Sequence, residues 1–274
     1  MCKIQLLLFL LLYASPFWAQ NMYKSLYQRA VTCLEADSLE QAEVLFKQAL
    51  RVDASNPGNA FIFSNLGLLQ MRMQRMDEAL ESFSMGLNLS PLNVPILLNR
   101  AALYLNLGNE DKAYIDYCNV LDVDKENQEA LLYRAYIYLS RKNYKQAETD
   151  YMRLLSINPQ QRLAQMGLAT VLQRQKQYKA ALDLYNKVLQ VSPEDVNMLM
   201  ARADLEVEIG QLEAALFDLN QVIRLSPTLS DTFVMRGNLY LQQNDKKKAK
   251  ADFEHAILLG TSRRDLQKLI ELCR

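Results

Sequence analysis

The sequence predicts an all-α solenoid, in which antiparallel helix pairs stack in file around a continuous core. Three observations predict it. The stretch Gln128 to Gln161, QEALLYRAYIYLSRKNYKQAETDYMRLLSINPQQ, is 34 residues long and recurs in phase along the chain. Within it Leu131, Arg134, Ala135 and Tyr138, at slots 4, 7, 8 and 11 of the 34, share one helix face, while Ala147, Tyr151 and Leu154, at slots 20, 24 and 27, share a face of a second helix. Pro159 at slot 32 then stops that helix, because proline cannot sit in a helix interior. Small residues at slots 8 and 20 let the two helices approach closely, and large ones at 4, 11 and 24 fill the space around the contact. One such pair cannot bury both its apolar faces alone and needs neighbours.

In chain order, the first element is unlike the rest. Lys3 gives a small positive start, and Ile4 to Tyr13 is apolar except for Gln5. Ala14, Ser15 and Pro16 break that run before Phe17-Trp18-Ala19-Gln20. This resembles a secretory signal peptide, residues 1–19, cut after Ala19, although Phe17 stands where a small residue is usual. The alternative is an uncleaved membrane anchor, for which about 16 apolar-rich residues are short against the roughly 20 of a span.

Seven repeats follow in residues 20–261, at 23–56, 60–93, 94–127, 128–161, 162–195, 196–229 and 230–261. The slot-20 alanines Ala42, Ala79, Ala113, Ala147, Ala181, Ala215 and Ala249 mark the beat, every step being 34 except the first, which is 37. The three extra residues are Pro57, Gly58 and Asn59. Slot 24 carries Phe46, Phe83, Tyr117, Tyr151, Tyr185, Leu219 and Phe253, and slot 32 is proline at Pro91, Pro159, Pro193 and Pro227. Residues 262–274 read as a capping helix. Ser262 and Asp265 suit its start, and Leu266, Leu269, Ile270 and Cys273 form a stripe at i, i+3, i+4, i+7 that would cover the last repeat.

Slots 7 and 23 vary together. They are Arg and Asp in repeats 3, 4, 6 and 7: Arg100 with Asp116, Arg134 with Asp150, Arg202 with Asp218, Arg236 with Asp252. Repeats 2 and 5 have neither. Joint presence beside core slots predicts partly buried, charge-assisted pairs that bridge the two helices or reach the adjacent repeat. Repeat 6 departs most, with Glu206 at slot 11 in place of an aromatic and Leu219 at slot 24. Glu206 lies four residues after Arg202 and can meet it on one helix face.

Composition and motifs narrow the chemistry. Half the residues are hydrophobic, so the chain can bury a core. Lys plus Arg equals Asp plus Glu at 31 each, which argues against a nucleic-acid binder. The basic run Lys246-Lys247-Lys248 reads as a solvated helix face. Cys33, Cys118 and Cys273 are an odd and widely spread set, unsuited to a disulfide framework. The one histidine, His255, falls on the outward side of a second helix and has no partner set for nucleophilic catalysis. No HExxH or CxxC metal spacing and no phosphate-cradling glycine loop occurs. The expectation is therefore a chain that is not an enzyme, with no cofactor, no metal and no small-molecule substrate.

The repeat pattern resembles the tetratricopeptide repeat (TPR) over nearly all of the chain after the leader. The resemblance implies a right-handed superhelical solenoid whose first helices line a concave, peptide-binding groove, with slots 2, 5, 9, 12 and 13 facing it. Those slots supply the candidate groove residues Leu98, Ala102, Leu132, Tyr136, Met166, Thr170, Met200 and Asp204. Leu98, Leu132 and Tyr136 would be apolar anchors, Met166 and Met200 adaptable ones, and Asp204 with Glu208 would favour basic residues near repeat 6. The alternative is that these side chains pack between neighbouring first helices. Family members that grip chaperone carboxylates carry Lys at slot 5 and Asn at slot 9. Slot 5 holds no Lys here and only Asn238 matches at slot 9, so that clamp is not expected.

The expected function is a non-enzymatic scaffold for a protein or peptide partner, exported to the periplasm or cell envelope as an assembly factor. The rival is a membrane-anchored structural component with its leader retained, the one case in which membrane contact is expected.

Overall fold

The computed structural model describes the backbone of residues 2–274 and the side chains from Trp18 onward. The expected signal peptide falls on residues 1–19, and all of it but Trp18 and Ala19 lies outside the residues whose side chains are described. Among the described residues every regular element is an α-helix. The chain forms two compact units, residues 1–134 and 135–274.

The first unit holds α1 (Cys2–Glu35), α2 (Leu39–Val52), α3 (Asn59–Arg72), α4 (Met76–Leu89), α5 (Val94–Asn106), α6 (Glu110–Val123) and the start of α7 (Gln128–Ser140). α1 packs on α2, α3 on α4 and α5 on α6; α2 against α3 and α4 against α5 link the pairs. The slot logic is visible atom by atom. Ala30 and Ala42 are fully buried at the α1–α2 contact, beside Phe46. In the next pair slot 8 is Gly67, and a Cβ there would stand 2.4 Å from the Phe83 ring, so glycine makes room for the slot-24 ring. Each buried ring of this kind contributes about 1.5–3 kcal/mol. The extra residues between repeats 1 and 2 are structured: the Asn59 amide donates to the Asp53 and Ala54 carbonyls at 2.9 and 3.0 Å.

The second unit holds the end of α7, then α8 (Tyr144–Ile157), α9 (Arg162–Arg174), α10 (Tyr178–Val191), α11 (Val196–Glu208), α12 (Leu212–Leu225), α13 (Ser230–Gln242), α14 (Lys246–Leu258) and α15 (Arg263–Leu272). From α8 onward each helix packs on the next, and α9 also touches α11. Tyr185 and Phe253 are buried at slot 24, as is Leu219. α15 seats Leu266 in the cluster around Phe233, Phe253 and Ala256, with Leu269, Ile270 and Cys273 packed against it. Ser262 occupies the N-cap of α15, but its side chain makes no cap hydrogen bond; only its carbonyl accepts from the Asp265 N–H, at 3.1 Å.

In both units every first helix ends in the same way. The residue at slot 15 has positive φ in all seven repeats: Asp37, Gln74, Gly108, Lys142, Lys176, Gly210 and Asn244. The following N–H reaches back five residues along the chain, as Asn109 N to Tyr104 O at 2.8 Å and Gln211 N to Glu206 O at 2.7 Å. This is a Schellman closure, which satisfies the orphan carbonyls of the helix end. The next helix is then capped by Asn109 or Asp245, whose side chains accept from the N–H three residues on.

Candidate protein-interaction site

The Arg–Asp pairs fix the first helices relative to their partners. In the first unit Arg100 makes a two-pronged contact with Asp116, Nε to Oδ2 and Nη2 to Oδ1, both at 2.8 Å. In the second, Arg202 grips Asp218 at 2.7 Å on both prongs, and Arg236 grips Asp252 at 2.8 and 2.7 Å. The carboxylates are buried and the guanidinium groups partly so, which makes these charge-assisted contacts strong. Of the fourth expected pair, Arg134 belongs to the first unit and the buried Asp150 to the second.

Each arginine has a third contact, to slot 25 of the preceding repeat. Arg100 Nη1 donates to Ser84 Oγ at 3.1 Å, Arg202 to Asn186 Oδ1 at 2.7 Å and Arg236 to Asn220 Oδ1 at 2.6 Å. Arg134 Nη1 lies 3.8 Å from the Cys118 sulfur. Where slot 7 is Leu66 or Leu168, slot 25 of the repeat before is Lys47 or Met152, neither a suitable acceptor. The signal was readable in the sequence as a third covarying slot. In repeat 2 a neutral contact replaces the pair, the Gln70 amide lying 2.7 Å from Ser82 Oγ.

The candidate groove residues divide by environment. In the first unit Leu98 and Ala102, on α5, are half-buried, and Leu132, on α7, is buried at 9 % exposure. Leu132 therefore packs and does not stand open, contrary to the expectation of an exposed anchor. Ala130 and Leu131, which precede it on α7, are fully buried as well, so most of this turn faces the interior. In the second unit Tyr136, on α7, is 52 % exposed. Met166 on α9 and Met200 on α11 are half-buried against the cluster around Tyr185 and Leu199. The Thr170 hydroxyl donates to the Met166 carbonyl of its own helix at 2.9 Å.

Asp204 is exposed on α11, one turn before Glu208. Gln173 of α9 donates to both, at 3.2 Å to Asp204 Oδ2 and 2.6 Å to Glu208 Oε2, and the Tyr178 hydroxyl donates to Glu208 Oε1 at 2.9 Å. The Gln173 hydrogen bond leads the causes that hold the Glu208 carboxyl below its ordinary range, so it stays charged. Further apolar side chains stand open on first helices, among them Phe61 and Leu68 on α3 and Leu163 on α9. Phe61 and Leu163 occupy slot 2, whose other occupants, Lys24, Pro95, Glu129, Asn197 and Asp231, show no apolar trend, and this hid them in the sequence.

Among the described residues no group of three His, Cys, Asp or Glu side chains is placed to hold a metal ion. No described helix is long and apolar enough to cross a membrane.

Two family models described as tetratricopeptide repeat match the chain, one at residues 94–127, 129–161 and 230–259 and the other at 166–230. A solved tetratricopeptide repeat protein from Parabacteroides merdae ATCC 43184 is 31 % identical, with a TM-score of 0.75, over 92 % of this chain and 99 % of that one. The chain belongs to the tetratricopeptide repeat family. The TPR fold recurs in PilF of Pseudomonas aeruginosa, 19 % identical with a TM-score of 0.60 over 76 % of this chain and 94 % of that one. It recurs in YrrB, described as a TPR protein with an unusual peptide-binding site, at 20 % identity and a TM-score of 0.51 over 70 % and 99 % of the two chains. No curated protein matches the sequence. TPR arrays are protein–protein interaction scaffolds, typically without catalysis, and the helix pairs described above are such an array.

Proposed function

We propose that this TPR protein is an exported scaffold that binds an extended or helical segment of a protein partner on the face of its first helices, with no chemistry of its own. The observation that carries the reading is the set of open apolar side chains on those helices, Phe61 and Leu68 in the first unit and Tyr136 and Leu163 in the second. The helix-pair core does not use them, and open apolar side chains on successive first helices are what a docked segment would cover. The second helices also expose apolar side chains, Phe217 and Leu258 among them, and the control position reports on that face. The peptide-binding site in the description of YrrB is in keeping with it. The leader-like residues 1–19 support export to the periplasm or cell envelope, where the chain would act as an assembly factor.

A photocrosslinking amino acid at Tyr136, in the native host, tests the binding face; the control position is His255, exposed on α14. The expected result is one dominant protein adduct at Tyr136 and none at His255. Equal capture at both, or none at Tyr136, overturns the reading. Export is checked by N-terminal sequencing of the mature protein, with Gln20 as the expected first residue and Met1 as the result that refutes it.

A further inference from the structure

Slot 24 holds a ring in every repeat but the sixth. Such a ring reaches beyond its own pair to slot 6 of the next repeat. Tyr117 stacks on Tyr133 in the first unit, with centroids 5.6 Å apart. In the second unit the Tyr151 ring sits so close to α9 that a Cβ on Gly167 would meet it at 2.3 Å. In repeat 6 the slot holds Leu219, and its slot-6 neighbour is Met235. The missing ring leaves a cavity of about 410 Å³ bounded by Asp204, Val207, Leu219, Met235, Asn238 and Gln242.

Its chemistry is graded from floor to mouth. Leu219 is buried, and Val207 and Met235 are half-buried, so the floor is apolar. Asp204 and Gln242 are exposed and Asn238 half-exposed, so the mouth is polar. Asp204 Oδ2 accepts from Gln173, while Oδ1 makes no described hydrogen bond, and no described lysine or arginine forms an ion pair with Asp204. An anionic side chain entering here would face both Asp204 and Glu208. A purely apolar one would cover the Asp204 carboxylate without replacing its water, at a cost.

We propose that this cavity seats a lysine or arginine side chain of the bound protein segment. Its methylene stem lies on Val207 and Met235, above the fully buried Leu219, its cation pairs with Asp204, and the Asn238 and Gln242 amides meet the adjoining peptide backbone. A cation with a long apolar stem is the one side-chain type that satisfies both floor and mouth. The assignment rests on the first-helix face being the binding surface.

The test is selection of a random-peptide phage library on the full chain, followed by titration of the selected peptides. Asp204→Asn removes the charge, and Leu219→Phe restores the ring and fills the space while its melting temperature reports on folding. Met235→Phe fills the cavity from the opposite wall should Leu219→Phe not fold. Selected peptides with a fixed Lys or Arg, weakened about tenfold or more by both the charge removal and the filling, are the expected result. Selected peptides that lack a fixed cation, or that bind either variant as tightly as the parent, overturn the cavity assignment and leave peptide binding standing. Recovery of no peptide above the empty-phage background overturns both.

Discussion

Lys176 and Gly210 fill the same slot with different backbone costs. Both have positive φ, 61° and 79°, at the end of a first helix. A side chain in that conformation costs roughly 1–2 kcal/mol, and glycine avoids it at the expense of a floppier unfolded chain. Lys176→Gly is therefore expected to raise stability slightly, and Gly210→Ala to lower it by about 1 kcal/mol. The space around Gly210 is open, so its loss would be backbone strain alone. Urea unfolding of the pair checks this, and opposite signs are the diagnostic outcome. Glu206 is a second residue whose setting decides its behaviour. It is buried, Oε2 has no hydrogen-bond partner, and Arg202 Nε stands 3.8 Å away, a distance at which the guanidinium favours Asp218. Burial first, and then the Asp218 charge, push its carboxyl up to about 7 from the ordinary carboxylate range. A raised carboxyl binds its proton more tightly folded than unfolded. Its contribution is thus fully present below the ordinary glutamate range and is lost as pH climbs through about 7. Glu206→Gln is expected to flatten that slope: at pH 8 the variant melts higher than the parent, by an amount on the order of 1 kcal/mol, and at pH 5 the two nearly coincide. A gap that is the same at both pH values would show that Glu206 does not titrate in this range.

At the scale of the helix, the arginines are shared property. Arg202 lies on α11, and its contacts run to α12 through Asp218 and to α10 through Asn186. Removing Asp218 strands a half-buried cation, so Asp218→Ala is expected to cost about 3 kcal/mol. Asn186→Ala removes a hydrogen bond to a charged group and costs less, about 1.5 kcal/mol. A double-mutant cycle with Arg202→Leu, the residue type found at slot 7 of repeats 2 and 5, separates the two: most of the Asp218→Ala cost vanishes in the Leu background. If the full cost persists there, Asp218 does its work elsewhere than on Arg202.

Across the whole chain, what repeats was legible and what is local was not. The helix pairs and their phase follow from a period that recurs seven times, and the slot-7 to slot-23 pairing from joint presence in four repeats and joint absence in two. The slot-15 left-handed turn stayed hidden because glycine marks it only at Gly108 and Gly210, the other five repeats using residues that accept the conformation under tertiary constraint. The division after Arg134 is equally silent, since the sequence there keeps its beat through α7. Leu132 was misread because a slot's facing in the family says which way a side chain leaves the helix, and not what stands beside it. The cavity in repeat 6 was half legible: Leu219 was conspicuous as a missing ring, but its consequence depends on Met235 and Val207, which no periodicity singles out.

The arginine contacts also give the array an order in time. Arg100 lies sixteen residues after Ser84 and sixteen before Asp116, and Arg202 and Arg236 have the same spacing to their own partners. As the chain emerges from its N-terminus, each guanidinium meets a finished repeat carrying one acceptor before its own carboxylate has been made. A new helix can thus dock on what is already built, and the second helix of its pair locks it when sixteen more residues have arrived.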